Sequence, residues 1–309
     1  MIIKKIQQTI ITGLMLICLI TITSCNTNTP NKPIVVSTIG MIHNMVQEIA
    51  KDNVTAIGLM GPGIDPHLYK ASAGDIKTLS SANLILYNGL NLEAKMIDLF
   101  EKMTPKKITK TVTSRIPKSE LIQPQEFDGF YDPHVWFDVR LWQLASLDVL
   151  NALIELDEKN AEIYKKNHAE YKKKLLLLDQ WVQNEVNKIP EKKRLLITAH
   201  DAFGYFGKRY NIQVVGLQGI STASEAGTKD IQHVTNIIIN NKIPTIFVES
   251  SVPIRQIQAL KAAVNAKGWN VEIGEELYTD AMGDPNTMAG TYIGMIQHNV
   301  RSIVNGLTK

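Results

Sequence analysis

The chain has 309 residues, a formal net charge of +3, 44% apolar residues and 20% charged residues. This is the composition of a soluble globular protein, long enough for two lobes with separate cores or for one large domain. No basic stripe with interleaved aromatics is present, which argues against a nucleic-acid partner.

The N-terminus carries Lys4 and Lys5, an apolar run from Ile10 to Ile22, and small or polar residues ending at Cys25. That order is the layout of an export signal. The run is diluted by Thr12, Gly13, Thr21 and Thr23 and falls short of the ~20 apolar residues of a membrane span. Ile22-Thr23-Ser24-Cys25 resembles the bacterial lipobox, with Ser24 standing where Gly or Ala is commoner. Residues 1–24 are therefore expected to be cleaved and Cys25 to be lipidated, anchoring an extracytoplasmic protein to a bacterial membrane. Cleavage would remove Cys18, leave no intrachain disulfide and lower the formal charge to about +1. Residues 25–33, rich in Asn, Thr and Pro, read as a tether.

From Pro33 onward, β-branched runs alternate with amphipathic stretches. The expected order is strand Ile34–Thr38, helix Met41–Lys51, strand Val54–Leu59, helix Ala71–Ala82, strand Leu84–Tyr87 and helix Leu92–Met103. A second series comprises strand Leu195–Thr198, helix Ala202–Tyr210, strand Gln213–Leu217, helix Thr228–Asn241, strand Thr245–Val248 and helix Pro253–Lys267. This alternation predicts an α/β fold with parallel sheets in two lobes, 34–156 and 190–309. Between them Asp157–Ile189 has no Gly or Pro and spaces Tyr164, His168, Tyr171, Leu175, Leu178, Val182, Val186 and Ile189 by three or four. One linking helix, roughly 48 Å long, is expected, with Asp157 as N-cap and Pro190 as its stop. Its lysine-rich face reads as solvated surface.

Asp65-Pro66-His67 and Asp132-Pro133-His134 repeat one tripeptide. Proline fixes its own φ and steers the preceding Asp away from helix, so each imidazole is presented from a preset turn, as suits a metal ligand. For a single copy, an Asp that merely caps a turn would explain the pattern as well. His200, in Thr198-Ala199-His200-Asp201, stands at the carboxyl end of a strand, where α/β sheets contact ligands. Asp280 taken alone reads as a capping residue. His43, His168, His233 and His298 fall in helical patterns and read as structural.

Three imidazoles with one carboxylate would form a borderline-soft site suited to one divalent transition metal, Zn²⁺ ahead of Mn²⁺ or Fe²⁺. Four protein ligands leave no open position for a reactive water, which favours capture over catalysis. Glu249, after strand Thr245–Val248, is either a group that orients a ligand or a buried hydrogen-bonding carboxylate. It is also the one candidate general base if the chain were instead a metal-dependent hydrolase.

These positions, with Gly61-Pro62-Gly63-Ile64 before Asp65, Ala202-Phe203-Gly204-Tyr205-Phe206, Gly216-Leu217-Gln218-Gly219-Ile220-Ser221-Thr222, Phe247-Val248-Glu249-Ser250-Ser251 and Asp280-Ala281-Met282-Gly283, resemble the TroA-like zinc/manganese-binding lipoproteins of ABC importers. The resemblance extends over nearly all of Ile34–Leu307. It implies two Rossmann-like lobes joined by one rigid helix, a metal in the cleft held by His67, His134, His200 and Asp280, and a monomer that serves a permease with a cytoplasmic ATPase. This chain has no phosphate-binding glycine loop of its own. Manganese-specific members tend to carry Glu where this chain has His200, and many zinc members carry a His-rich loop that is absent from 106–130. A surface adhesin with a structural metal is the other reading the family admits.

Overall fold

The second half of the chain repeats the strand order of the first. In the first half β1 (Ile34–Ser37), β2 (Thr55–Gly58), β3 (Leu84–Tyr87) and β4 (Ile108–Thr111) form a parallel sheet ordered β2-β1-β3-β4. In the second, β5 (Leu195–His200) pairs in parallel with β6 (Gln213–Gln218), and β7 (Thr245–Ile246) pairs in parallel with β8 (Glu272–Ile273). The Phe247 N–H donates to Ile197 O at 3.0 Å and joins the two pairs, so the order continues as β6-β5-β7-β8. The computed structural model describes residues 32–124 and 129–309. The export segment, Cys25 and the tether up to Asn31 lie outside the described residues. No helix among the described residues is long and apolar enough to cross a membrane.

The helices of the first half are α1 (Gly40–Ala50), α2 (Ala73–Ser81), α3 (Ile97–Met103) and α4 (Val139–Leu156). Local chemistry sets their starts. Ser72 and Asp75 cap α2 reciprocally, and the Asp138 carboxylate accepts the N–H groups of Arg140 and Leu141 at the head of α4. The sequence reading had no helix at α4 and no strand at β4.

The linking helix α5 spans Ala161–Val186, about 38 Å rather than 48 Å. Asp157 does not cap it. That residue ends α4, and its Oδ2 takes hydrogen bonds from Asn160 Nδ2 and the Tyr164 hydroxyl across an intervening 3₁₀ turn, Glu158–Asn160. The far end unwinds before Pro190 into turns over 185–189. The face read from the sequence is the one buried: Tyr164, His168, Tyr171, Leu175, Leu178, Val182 and Val186. Burying each large apolar side chain contributes about 1.5–3 kcal/mol.

In the second half α6 (Gly204–Tyr210), α7 (Thr228–Asn240) and α8 (Arg255–Ala266) follow their strands, and α9 (Tyr292–Leu307), read from the sequence only as a helical pattern around His298, closes the chain. Helix α9 returns across the molecule to pack on α5 and α1. One apolar core consequently runs from β1 and α1 through α4 and α5 to Phe203, Phe206, Tyr292 and Leu307, so the two lobes share it. A smaller core lies between the second sheet and α7 and α8.

Strand β5 separates these two cores by simple alternation. Leu195, Ile197 and Ala199 point into the smaller core, while Leu196 points into the shared one. Thr198 and His200 continue the Leu196 side by the same period of two, which turns His200 toward the first lobe.

Candidate metal centre

Each candidate side chain leaves the carboxyl end of a strand. His67 lies in the loop after β2, His134 in the loop after β4 at the mouth of a 3₁₀ turn (Val135–Phe137), His200 ends β5, and Asp280 follows β8. The structure brings all four together, with ligand atoms within 4.8 Å of one another. His134 Nε2 stands 3.3 Å from His67 Nε2 and 3.4 Å from His200 Nε2. Asp280 Oδ1 is 3.2 Å from His134 Nε2, and Oδ2 is 3.3 Å from His200 Nε2 and 3.8 Å from His67 Nε2. Metal–ligand bonds of ~2.0–2.1 Å in a tetrahedron place neighbouring donors about 3.3 Å apart. The spacing therefore fits one cation at the centre of the four groups.

The two Asp-Pro-His turns use their aspartates in the same first way. Asp65 Oδ1 accepts the His67 N–H at 2.8 Å, and Asp132 Oδ1 accepts the His134 N–H at 2.9 Å. They then diverge. Asp132 Oδ1 also lies 2.8 Å from His134 Nδ1, whereas Asp65 Oδ2 accepts a hydrogen bond from Thr222 Oγ1 at 2.6 Å. Gly204 permits the Asp132 arrangement, since a Cβ there would come within 2.8 Å of Asp132 Oδ2.

Glu249 treats His200 as Asp132 treats His134. One of its oxygens accepts the His200 N–H at 3.0 Å, and the other accepts from His200 Nδ1 and from Thr279 Oγ1. With Nδ1 donating to a carboxylate in both histidines, the Nε2 lone pairs are the ones free to bind a metal. Glu249 was legible only as an ambiguous carboxylate, and the part Asp132 plays at the Nδ1 atom was missed. The signal for Asp132 was present, a carboxylate two residues before a turn histidine, whereas Glu249 stands 49 residues from His200 and only its place after a strand hinted at its role.

The electrostatics describe a site prepared for positive charge. Both Asp280 oxygens are buried, and each faces an imidazole nitrogen, Oδ1 that of His134 and Oδ2 that of His200. Burial alone would push this carboxyl up, but His200 and His134 outweigh it and hold it well below the usual carboxylate range. Burial opposes charge on His134 as well, yet Asp132 and Asp280 keep its pKa at about 9. His200 is likewise raised, burial being overcome by Glu249 and Asp280. His67 is pushed down to about 3, chiefly by burial.

The other histidines do not join this group. His168 bonds Ser146 Oγ at 2.9 Å within the α5–α4 packing, and His298 Nε2 donates to Glu276 O at 2.8 Å. His233 is exposed on α7. His43 lines a separate cavity of about 230 Å³ with Met60 and Met282.

Residues 35–306 match the family described as zinc-uptake complex component A, periplasmic. The chain belongs to this family. It is 46% identical over 278 residues to the zinc-binding protein TroA of Treponema pallidum, covering 90% of each chain. It is 43% identical over 291 residues to the manganese-binding lipoprotein MntA of Bacillus subtilis, covering 93% of this chain and 95% of that one. The solved periplasmic zinc-binding protein TroA superposes with a TM-score of 0.88 at 46% identity, over 89% of this chain and 99% of the other. Family members are metal-binding components of ABC transporters rather than enzymes, and the two-lobed α/β architecture is theirs.

Proposed function

We propose that this chain captures one Zn²⁺ or Mn²⁺ outside the cytoplasm, through His67, His134, His200 and Asp280, and delivers it to the permease of an ABC importer, which a cytoplasmic ATPase drives. The observation that carries this reading is the set of four buried donors at metal-centre spacing, including a carboxylate whose two oxygens both face imidazole nitrogens. A buried carboxylate needs a positive partner, which a metal ion supplies once it displaces the protons of the imidazoles. Lipid attachment at Cys25 would keep the protein at the membrane beside its permease, in keeping with the lipoprotein names of several relatives.

Capture rather than hydrolysis follows from what surrounds the donors. Glu249, the carboxylate a hydrolase would need as its base, is occupied by the His200 N–H, His200 Nδ1 and Thr279. Four protein donors also fill a tetrahedral ion.

Ligand softness favours zinc: three nitrogens and one carboxylate suit it better than they suit manganese. The straddling carboxylate favours the other cation, because Oδ1 and Oδ2 of Asp280 both face the imidazoles and could raise the coordination above four. Competition between Zn²⁺ and Mn²⁺ for the purified metal-free protein, with and without His200→Glu, tests this reading. Wild-type protein should take one ion per chain, and His200→Glu should shift the ratio toward Mn²⁺. An unchanged ratio would remove the softness argument, and no uptake at all would remove the proposed function.

A further inference from the structure

The two lobes are joined unequally on the two sides of the four donors. On the His134 side the joints are deep. The Tyr205 hydroxyl donates to Asp132 O at 2.9 Å and accepts from Ile122 N–H at 3.1 Å. Trp136 Nε1 donates to Thr279 O at 3.1 Å, and the Tyr292 hydroxyl donates to Trp136 O at 2.7 Å. Tyr205, Trp136 and Tyr292 are all buried in the shared core. His134, His200 and Asp280 are thus held in place by packing that spans both lobes.

His67 is held differently. Its loop is exposed from Gly61 to Ile64 and again at Leu68, and of the three imidazoles its Nε2 lies farthest from the carboxylate, at 3.8 Å. The loop crosses to the second lobe at Gly63, where φ is +71° and a Cβ would meet Ser250 O at 3.5 Å, and at Asp65, which Thr222 Oγ1 reaches at 2.6 Å. Asp65 links the two events, since one oxygen takes the Thr222 hydroxyl and the other takes the N–H of His67.

We propose that Thr222 is a positioning residue for His67: acting through Asp65, it holds the fourth donor closed over a three-donor base of His134, His200 and Asp280, and thereby sets the rate at which metal leaves. This rests on the capture reading above and adds an order of events to it. Metal meets the three fixed donors first, the 61–68 loop closes His67 last, and release begins when the Thr222–Asp65 bond breaks.

Release of Zn²⁺ from the loaded protein into excess EDTA, followed by stopped flow, tests the role of Thr222. Thr222→Val keeps the shape and deletes the donor, and loss of a hydrogen bond to a carboxylate should speed release by on the order of tenfold. Thr222→Ser, which keeps the hydroxyl, should release at the wild-type rate. Asp65→Asn, which weakens the same bond from its other end, should also speed release and stands in if Thr222→Val does not fold. Wild-type release rates in both Thr222→Val and Asp65→Asn would overturn the role of Thr222 while leaving capture standing. Equal acceleration by Thr222→Ser and Thr222→Val would overturn it too, because shape rather than the hydroxyl would then matter. Wild-type protein that takes no metal would sink the capture reading and the latch together.

Discussion

Glu249 grips His200 at two points, accepting its backbone N–H at 3.0 Å and its ring Nδ1, so one carboxylate sets both the position and the orientation of that imidazole. Glu249→Gln keeps an oxygen for one of these donors and turns an amide toward the other. Metal affinity should fall by about 10–100-fold, the usual cost of losing a group that orients a ligand. Chelator competition measures it, and unchanged affinity would mean that Glu249 is only a buried carboxylate.

His134→Ala removes the imidazole that stands closest to the other three donors and leaves Asp132 and Asp280 buried without it. Stoichiometric binding should disappear, and the metal-free protein should lose about 3–5 kcal/mol, since breaking a buried pair strands a charge. His67→Ala should abolish tight binding at a smaller cost in metal-free stability, because that imidazole is neutral. Denaturant unfolding of both variants without metal decides whether the order holds.

Capture should release protons. With a pKa of about 9, His134 is protonated at neutral pH in the metal-free protein, and His200 is raised as well, whereas His67 at about 3 has no proton to lose. Metal must displace those protons, so affinity should rise with pH, by up to about tenfold per unit for each histidine that starts protonated. For the metal-free protein the sign is opposite. A histidine pKa raised above the unfolded value of ~6.5 stabilises fully below that value, and the contribution is lost as pH rises through about 9. The melting-temperature gain on adding metal should therefore widen from pH 6 to pH 9. Calorimetry in buffers of different ionisation heats counts the protons, and a pH-independent affinity would contradict the charge state given to His134.

The shared core predicts a single unfolding transition for the metal-free protein. Leu175 sits in that core on the linking helix, and Leu175→Ala should cost about 2–5 kcal/mol and lower the same transition without splitting it. Differential scanning calorimetry showing two separable transitions would mean that the lobes fold independently.

The strands and helices of the two α/β series were legible because their periods differ, and the long helix because its buried positions recur without interruption. His67 and His134 were legible as a repeated tripeptide, and His200 as a strand-end residue. Helix α4 escaped notice because its buried positions, Leu141, Trp142, Ala145 and Leu150 among them, wrap about half of it and narrow the polar side that marks a surface helix. Helix α9, noticed only around His298, keeps a polar side at Arg301 and Asn305 that was open to reading. The bond between Asp65 and Thr222 was illegible for another reason. Its partners are 157 residues apart, and neither sequence context hints at the other. What a side chain touches across a cleft is decided by packing of whole lobes, on which local pattern is silent.

The last helix carries a consequence for synthesis. Tyr292 N–H caps onto Asn44 Oδ1 of α1, and its hydroxyl holds Trp136 O, so α9 fills a groove in the part of the protein made first. The leading portion of the chain must wait, with that groove open to water, until the final stretch has emerged. A premature stop anywhere before residue 292 would therefore leave no stable amino-terminal fragment, only a chain for proteases to clear.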